Sequence, residues 1–187
     1  ITSIGKQAFD STGLTSINIP QKTTSIGKYA FRLCTSLKSI TVASGNTVYT
    51  IDNGALIENK NTLVLYPTLN TERKEYIIPP TVTTIKGYAF NGNTHLDYIK
   101  FHDNIQTIEE YAFNGMTSLK TLTLPNTITT IGKSCFNNCS RLTVVKIPEA
   151  VTQLPDNCFR NCISLQSITI NSSLKRIEDY VFYNCQS

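Results

Sequence analysis

Ile131-Gly132-Lys133-Ser134-Cys135-Phe136-Asn137-Asn138-Cys139-Ser140-Arg141-Leu142 runs on through Val145 and Ile147 to Pro148, and the same phrase returns along the chain. An aliphatic residue, three variable positions, a small residue and Phe recur as Ile85 to Ala89-Phe90, Ile108 to Ala112-Phe113, Leu154 to Cys158-Phe159 and Ile177 to Val181-Phe182. From Phe90 to Phe182 every interval is 23 residues. Two earlier copies, Ile4 to Ala8-Phe9 and Ile26 to Ala30-Phe31, lie 22 residues apart, the first copy lacking one residue before Leu14.

The second half of each unit repeats as well. Leu119, Leu122 and Leu124 are matched by Leu142, Val145 and Ile147 and by Leu165, Ile168 and Ile170. Pro20, Pro79, Pro125 and Pro148 follow, and Val82, Ile128 and Val151 come three residues after the last three of these prolines. Aliphatics separated by one residue share a strand face, and the residue between them points the other way. Proline has no N–H to donate, so it ends the pairing. Seven exposed rings would make a large sticky patch, so the Phe positions belong inside. One unit cannot bury such faces alone, whereas stacked units bury a continuous core. The expected architecture is a solenoid whose roughly eight coils, spaced about 4.8 Å apart, span about 40 Å.

One stretch departs from the period. Phe31 and Phe90 are 59 residues apart, 36 more than one unit. It holds Tyr49, Asp52-Asn53-Gly54-Ala55-Leu56-Ile57, Asn59-Lys60-Asn61 and Leu63-Val64-Leu65-Tyr66-Pro67. Two apolar runs around an Asn/Lys-rich turn predict a β-hairpin, with a tight turn at Asn53-Gly54. The segment 43–76 is therefore expected to be an expanded coil within one repeat domain spanning 1–187.

The 187 residues are 40% hydrophobic and only 16% charged, with a formal charge of +4. Thr, Ser and Asn fill the polar positions, which suits extended β-rich structure. The charge is unclustered, which argues against nucleic acid as a partner. No apolar run approaches the ~18 residues of a membrane span, so no membrane insertion is expected of this segment. The chain starts at Ile1 and stops at Ser187 in mid-pattern, which reads as a piece of a longer protein.

The 131–148 phrase resembles the 23-residue BspA-like repeat, also called the Treponema-type leucine-rich repeat, and the likeness covers the whole chain. Tyr49 to Pro67 resembles the divergent Asp-Gly-x-Leu hairpin repeat found inside such arrays. The resemblance implies a leucine-rich-repeat solenoid: a right-handed arc with a parallel β-sheet on its concave face, and short helical or 3-10 turns and loops on the convex side. It also implies export to a bacterial, or sometimes protist, cell surface, and adhesion to host matrix proteins or other cells. It carries no catalytic motif to transfer and no cofactor.

Cys34, Cys139, Cys162 and Cys185 all sit three residues after the repeat Phe, where Thr12, Asn93 and Met116 stand in other copies. Cys135 and Cys158 replace the Ala before Phe. Cysteine here behaves as a small buried hydrophobe. A disulfide between stacked coils has Cα atoms within reach, but parallel side-chain directions disfavour it. A zinc site is weaker still, because the spacing is that of the repeat. His95 and His102 have no recurring partner and read as surface residues. Glu109-Glu110 reads as solvated loop charge. Asn138-Cys139-Ser140 and Asn171-Ser172-Ser173 match a glycosylation signal that an Asn- and Ser-rich chain produces by chance.

The concave columns are the most informative surface. The outward residues between paired aliphatics are Asn18, Thr41, Lys100, Thr123, Lys146 and Thr169, preceded by Lys38, Asp97, Tyr98, Lys120, Val144 and Gln166. Tyr98, Lys100, Lys120 and Lys146, with Thr123 and Val144, are expected to form a mildly basic patch for a protein or glycan ligand. A spacer or display stalk is the alternative. No nucleophile, base and orienting group appear outside the repeat register, so an enzyme is not expected. Open stack ends are expected to fray or to self-associate end to end.

Overall fold

The computed structural model describes residues 1–187 as about eight coils of a β-solenoid. Each regular coil contributes two short strands to two parallel ladders. The concave ladder contains Ser16–Ile19, Ser39–Val42, Glu75–Ile77, Tyr98–Lys100, Thr121–Leu122, Val144–Lys146 and Ser167–Thr169. Its strands pair in three groups, Ser16–Ile19 with Ser39–Val42, Glu75–Ile77 with Tyr98–Lys100, and Thr121–Leu122 with Val144–Lys146 and Ser167–Thr169, and within each group the register advances by one repeat, as in Thr121↔Val144↔Ser167 and Glu75↔Tyr98. The lateral ladder stacks Thr84-Ile85 on Thr107-Ile108 on Thr130-Ile131. Inward residues such as Leu122 and Val145 are buried, and the outward ones between them are exposed.

The convex side contains no helical segment, which corrects the expected helical or 3-10 turns. The reason lies in two left-handed residues per regular coil. Two positions before each Phe stand Gln7, Tyr29, Tyr88, Tyr111, Ser134, Asn157 and Tyr180, with φ from 53° to 65°. Two positions after it stand Ser11, Leu33, Gly92, Gly115, Asn138, Asn161 and Asn184, also at positive φ. A left-handed residue cannot continue a right-handed helix. Alternate N–H groups instead close β-turns, as Ala89 to Lys86 C=O does, while those between them donate to the next coil. Phe113 N–H reaches Cys135 C=O and Phe136 N–H reaches Cys158 C=O, both at 2.9 Å.

The rings stack as the period demands. Phe113, Phe136 and Phe159 are spaced 5.3 Å apart with interplanar angles of 4° and 7°. The column is nevertheless broken, and here the expectation of one continuous core is corrected. Phe9 stacks on Phe31, and a second column starts at Tyr66, which stacks on Phe90 at 5.6 Å. Tyr66 takes the Phe position of the irregular coil, because its N–H donates to Ala89 C=O as Phe90 N–H donates to Ala112 C=O.

That coil is a three-stranded meander, two hairpins where one was expected. Tyr49–Asp52 pairs antiparallel with Ala55–Glu58 around Asn53-Gly54, and Ala55–Glu58 pairs with Thr62–Leu65 around Asn59-Lys60. All four turn residues have positive φ, the requirement of tight hairpin turns. Side chains alternate across strands, so the meander is a septum. Tyr49, Leu56, Val64 and Leu65 belong to a core of 12 residues on the N-terminal side, whereas Ala55, Ile57, Leu63 and Tyr66 belong to one of 35 residues on the other.

Candidate binding surface

The concave strip collects most of the residues singled out in the sequence. Lys100, Thr123 and Lys146 occupy one outward column, in successive rows about 4.8 Å apart. Tyr98 and Val144 occupy the neighbouring column and are 44% and 50% exposed. Lys120 lies outside both, at the entry to its strand, in a third column with Lys38, Asp97 and Gln166. Its Nζ is 2.9 Å from Asp97 Oδ2 and 5.7 Å from the centre of the Tyr98 ring. The hydrogen bond between them lowers the Asp97 carboxyl and raises the Lys120 ammonium from their ordinary values. Lys120 is thus committed to Asp97, whereas Lys38, Lys100 and Lys146 are exposed and form no ion pair.

The sequence reading missed the start of this strip. Ile77 pairs in register with Lys100 and is 56% exposed, and Glu75 pairs with Tyr98. Beside them a concavity of about 340 Å³ is lined by Asn53, Arg73, Lys74, Glu75, Tyr76 and Ile77. The signal was present: Ile78-Pro79 ends its strand as Leu124-Pro125 and Ile147-Pro148 end theirs, which puts Ile77 in the column of Thr123 and Lys146.

The six cysteines are free thiols, five of them buried. Four form a ladder along the stack. Cys34 donates to Phe9 C=O at 3.0 Å, Cys139 to Phe113 C=O, Cys162 to Phe136 C=O and Cys185 to Phe159 C=O. Each thiol therefore satisfies a ring residue's carbonyl from the coil before, a weak polar role that packing alone did not reveal. Burial pushes the Cys135, Cys139, Cys158 and Cys162 thiols up, Cys139 to about 12, away from the range of a nucleophile. Thiol labelling of the folded protein should modify Cys185 first and leave the other five slow until denaturant is added. Rapid labelling of all six would show that the stack is open.

No group of three or more His, Cys, Asp or Glu side chains is placed to hold a metal ion. His102 is half-buried, not a free surface ring. Its Nε2 lies 2.8 Å from Pro79 C=O and its Nδ1 accepts from Asn104 N–H, so it joins two coils. Asn171 is buried, and its amide donates to Pro148 and Val151 carbonyls, which removes it as a glycan acceptor in the folded chain.

Glu109-Glu110 is not solvated loop charge. Glu109 Oε2 accepts Gly87 N–H at 2.9 Å. Glu110 accepts from Lys28 Nζ at 2.8 Å and from the Tyr29 hydroxyl, and Lys133 approaches it at 3.8 Å. The Lys28 and Tyr29 hydrogen bonds hold the Glu110 carboxyl below its usual value. A partner some 80 residues away is available because the irregular coil has no convex loop of its own between Tyr29 and Tyr88.

The fold has parallels among solved bacterial proteins. A leucine-rich repeat protein from Eubacterium ventriosum superposes with a TM-score of 0.84 at 29% identity, covering 98% of this chain and 56% of that one. A leucine rich cell surface protein from Faecalibacterium prausnitzii gives 0.71 at 29% identity, covering 90% and 51%. The pneumococcal vaccine antigen PcpA gives 0.75 at 24% identity, over 95% and 48%, a likeness of fold alone. The chain spans about half the length of these solved relatives. No curated protein matches it. The BspA type leucine rich repeat region, in six copies, matches residues 2–72 and 66–187. The chain therefore belongs to the BspA-type leucine-rich-repeat family.

Proposed function

We propose that the chain is a non-catalytic recognition module of an exported bacterial surface protein, binding a protein or glycan through the concave strip. Repeats of this family are generally non-enzymatic. One relative is described as a leucine rich cell surface protein, which supports exposure to the outside. The observation that carries the reading is the exposure of Ile77, Tyr98 and Val144 beside Lys100 and Lys146 on a ladder whose inward side is packed. Apolar side chains interspersed with cations on one exposed strip suit an extended polar or anionic partner, with the aromatic ring as anchor.

The test is binding of the chain to an immobilised panel of matrix proteins and glycans, followed by Lys100→Glu with Lys146→Glu on the first ligand found. Reversal of two exposed charges should weaken binding by about tenfold or more and flatten its salt dependence. Unchanged affinity in the folded double variant discards the strip as the site. Binding to nothing in the panel favours the second reading, a stiff spacer. The coil-to-coil asparagine ladder supports that reading: Asn184 donates to Asn161 and Asn161 to Asn138 at 3.0 and 2.8 Å.

A further inference from the structure

The irregular coil leaves a gap in the convex wall. Its strand Thr62–Leu65 runs straight into Tyr66, with two residues between Leu63 and the ring position. A regular coil has four, as between Ile85 and Phe90. The missing loop opens a cavity of about 350 Å³ between the loop around Tyr29 and the loop around Tyr88. That volume lies within the ~300–1,000 Å³ of ordinary ligand sites. Phe31, Val64 and Leu65 give it an apolar floor, and Tyr29 and Tyr88, whose rings meet edge to face with centres 5.0 Å apart, line it from opposite loops.

The walls carry unpaired backbone. At the three lateral positions of the next loop, Tyr88, Phe90 and Gly92 donate to Glu110, Ala112 and Asn114, and the Tyr111 and Ser134 loops repeat this pattern. The equivalent N–H groups of Tyr29, Phe31 and Leu33 donate to no group of the protein. On the opposite wall, the carbonyls corresponding to Lys28 and Arg32, which accept from Gln7 and Ser11, are those of Gly87 and Asn91, and neither accepts a bond from the protein. Such rows of unmet donors and acceptors are what an added extended chain satisfies. Above Phe31, moreover, the ring column lacks its next member, because Tyr66 stacks only on the far side.

The charges at the mouth are already matched. Arg32 pairs with Asp10 at 2.8 Å, Lys86 with Glu58 at 2.7 Å and Lys28 with Glu110 at 2.8 Å. Nothing there selects a charged ligand. The geometry points to a binding site for a short extended peptide segment with a small residue followed by an aromatic one. Its carbonyls take the Tyr29 and Phe31 N–H groups, and its ring continues the column over Phe31. The segment supplies what the irregular coil omits, and the chain's own loops spell the matching sequence: Tyr-Ala-Phe stands at 29–31, 88–90 and 111–113. This site lies away from the concave strip, so the chain has a second recognition surface of different chemistry.

The probe is acetyl-Tyr-Ala-Phe-amide, titrated into the intact chain, with acetyl-Tyr-Ala-Gly-amide as its partner. Saturable binding is expected for the first and at least about tenfold weaker binding for the second. Amide hydrogen exchange at Tyr29 and Phe31 should slow at saturation. Val64→Trp, which fills the floor, should abolish binding while the circular dichroism of the chain is unchanged. Should that variant misfold, the exchange experiment on the unaltered chain decides alone. The proposal is overturned by an absence of saturable binding. It is equally overturned by binding that leaves the Tyr29 and Phe31 amides unprotected, which places the peptide on an open end of the stack. Protection of those amides by methyl glucoside and not by the tripeptide also overturns it, in favour of a sugar.

Discussion

Replacing Phe136 with alanine is expected to cost the fold about 3–5 kcal/mol, the upper range for removing a buried ring. Phe136 is fully buried and sandwiched between Phe113 and Phe159 at 5.3 Å on each side. Its loss removes two stacked pairs, each worth about 0.5–1.5 kcal/mol beyond burial, and leaves a void that two rigid neighbouring coils cannot close. Phe9→Ala should cost about half as much, because that ring is partly exposed and stacks on one neighbour only. Urea unfolding followed by circular dichroism measures both. The septum adds a spatial signature: hydrogen exchange should accelerate in the coils around Phe136 and change little around Ile4, Ile19 and Ile40, which belong to the other core. A loss below about 1 kcal/mol for Phe136→Ala would remove the ring column from its place as the spine of the stack.

Asn93→Ala should be nearly as damaging, at about 2–4 kcal/mol, although it deletes few atoms. Asn93 is fully buried in the slot that cysteine fills in four other coils. Its amide donates to Pro67 C=O at 3.2 Å, and its Oδ1 accepts from His95 and Leu96 N–H at 3.0 and 2.9 Å. Alanine leaves the His95 and Leu96 N–H groups without an acceptor, while Pro67 C=O keeps its bond from Asn70 N–H, and each buried orphan costs about 1–3 kcal/mol before partial relaxation. Met116→Ala, in the same slot one coil later, removes volume but no hydrogen bond. Comparing the two by thermal unfolding separates polar satisfaction from packing. A loss below about 1 kcal/mol for Asn93→Ala would show that the amide's bonds are dispensable.

The period made the coils, the inward aliphatics and the concave columns legible, because all three follow from counting. The Lys120–Asp97 pair was readable by the same means, since its members are 23 residues apart. Other features lay beyond counting. Tyrosines at 29, 88, 111 and 180 adopt left-handed backbone, a conformation their side chains do not advertise. Lateral hydrogen bonds impose it, and those bonds exist only once the coils are stacked. Tyr66 was hidden in the ring column because the loop before it is short. The partition into two cores follows from alternation along the meander, which the sequence displays but whose two neighbours only the assembled stack supplies. Glu110 looked solvated because its partners at Lys28 and Tyr29 come from a coil that the meander brings near.

The lateral bonds between convex loops join main chain to main chain and ask little of side-chain identity. Tyr, Ser, Asn and Gln all serve at the same left-handed position. A gene segment encoding one unit can therefore be duplicated or deleted, and the new neighbours will still knit. Natural selection can lengthen such an array stepwise, each gain widening the outer footprint by about 4.8 Å, without redesigning any joint.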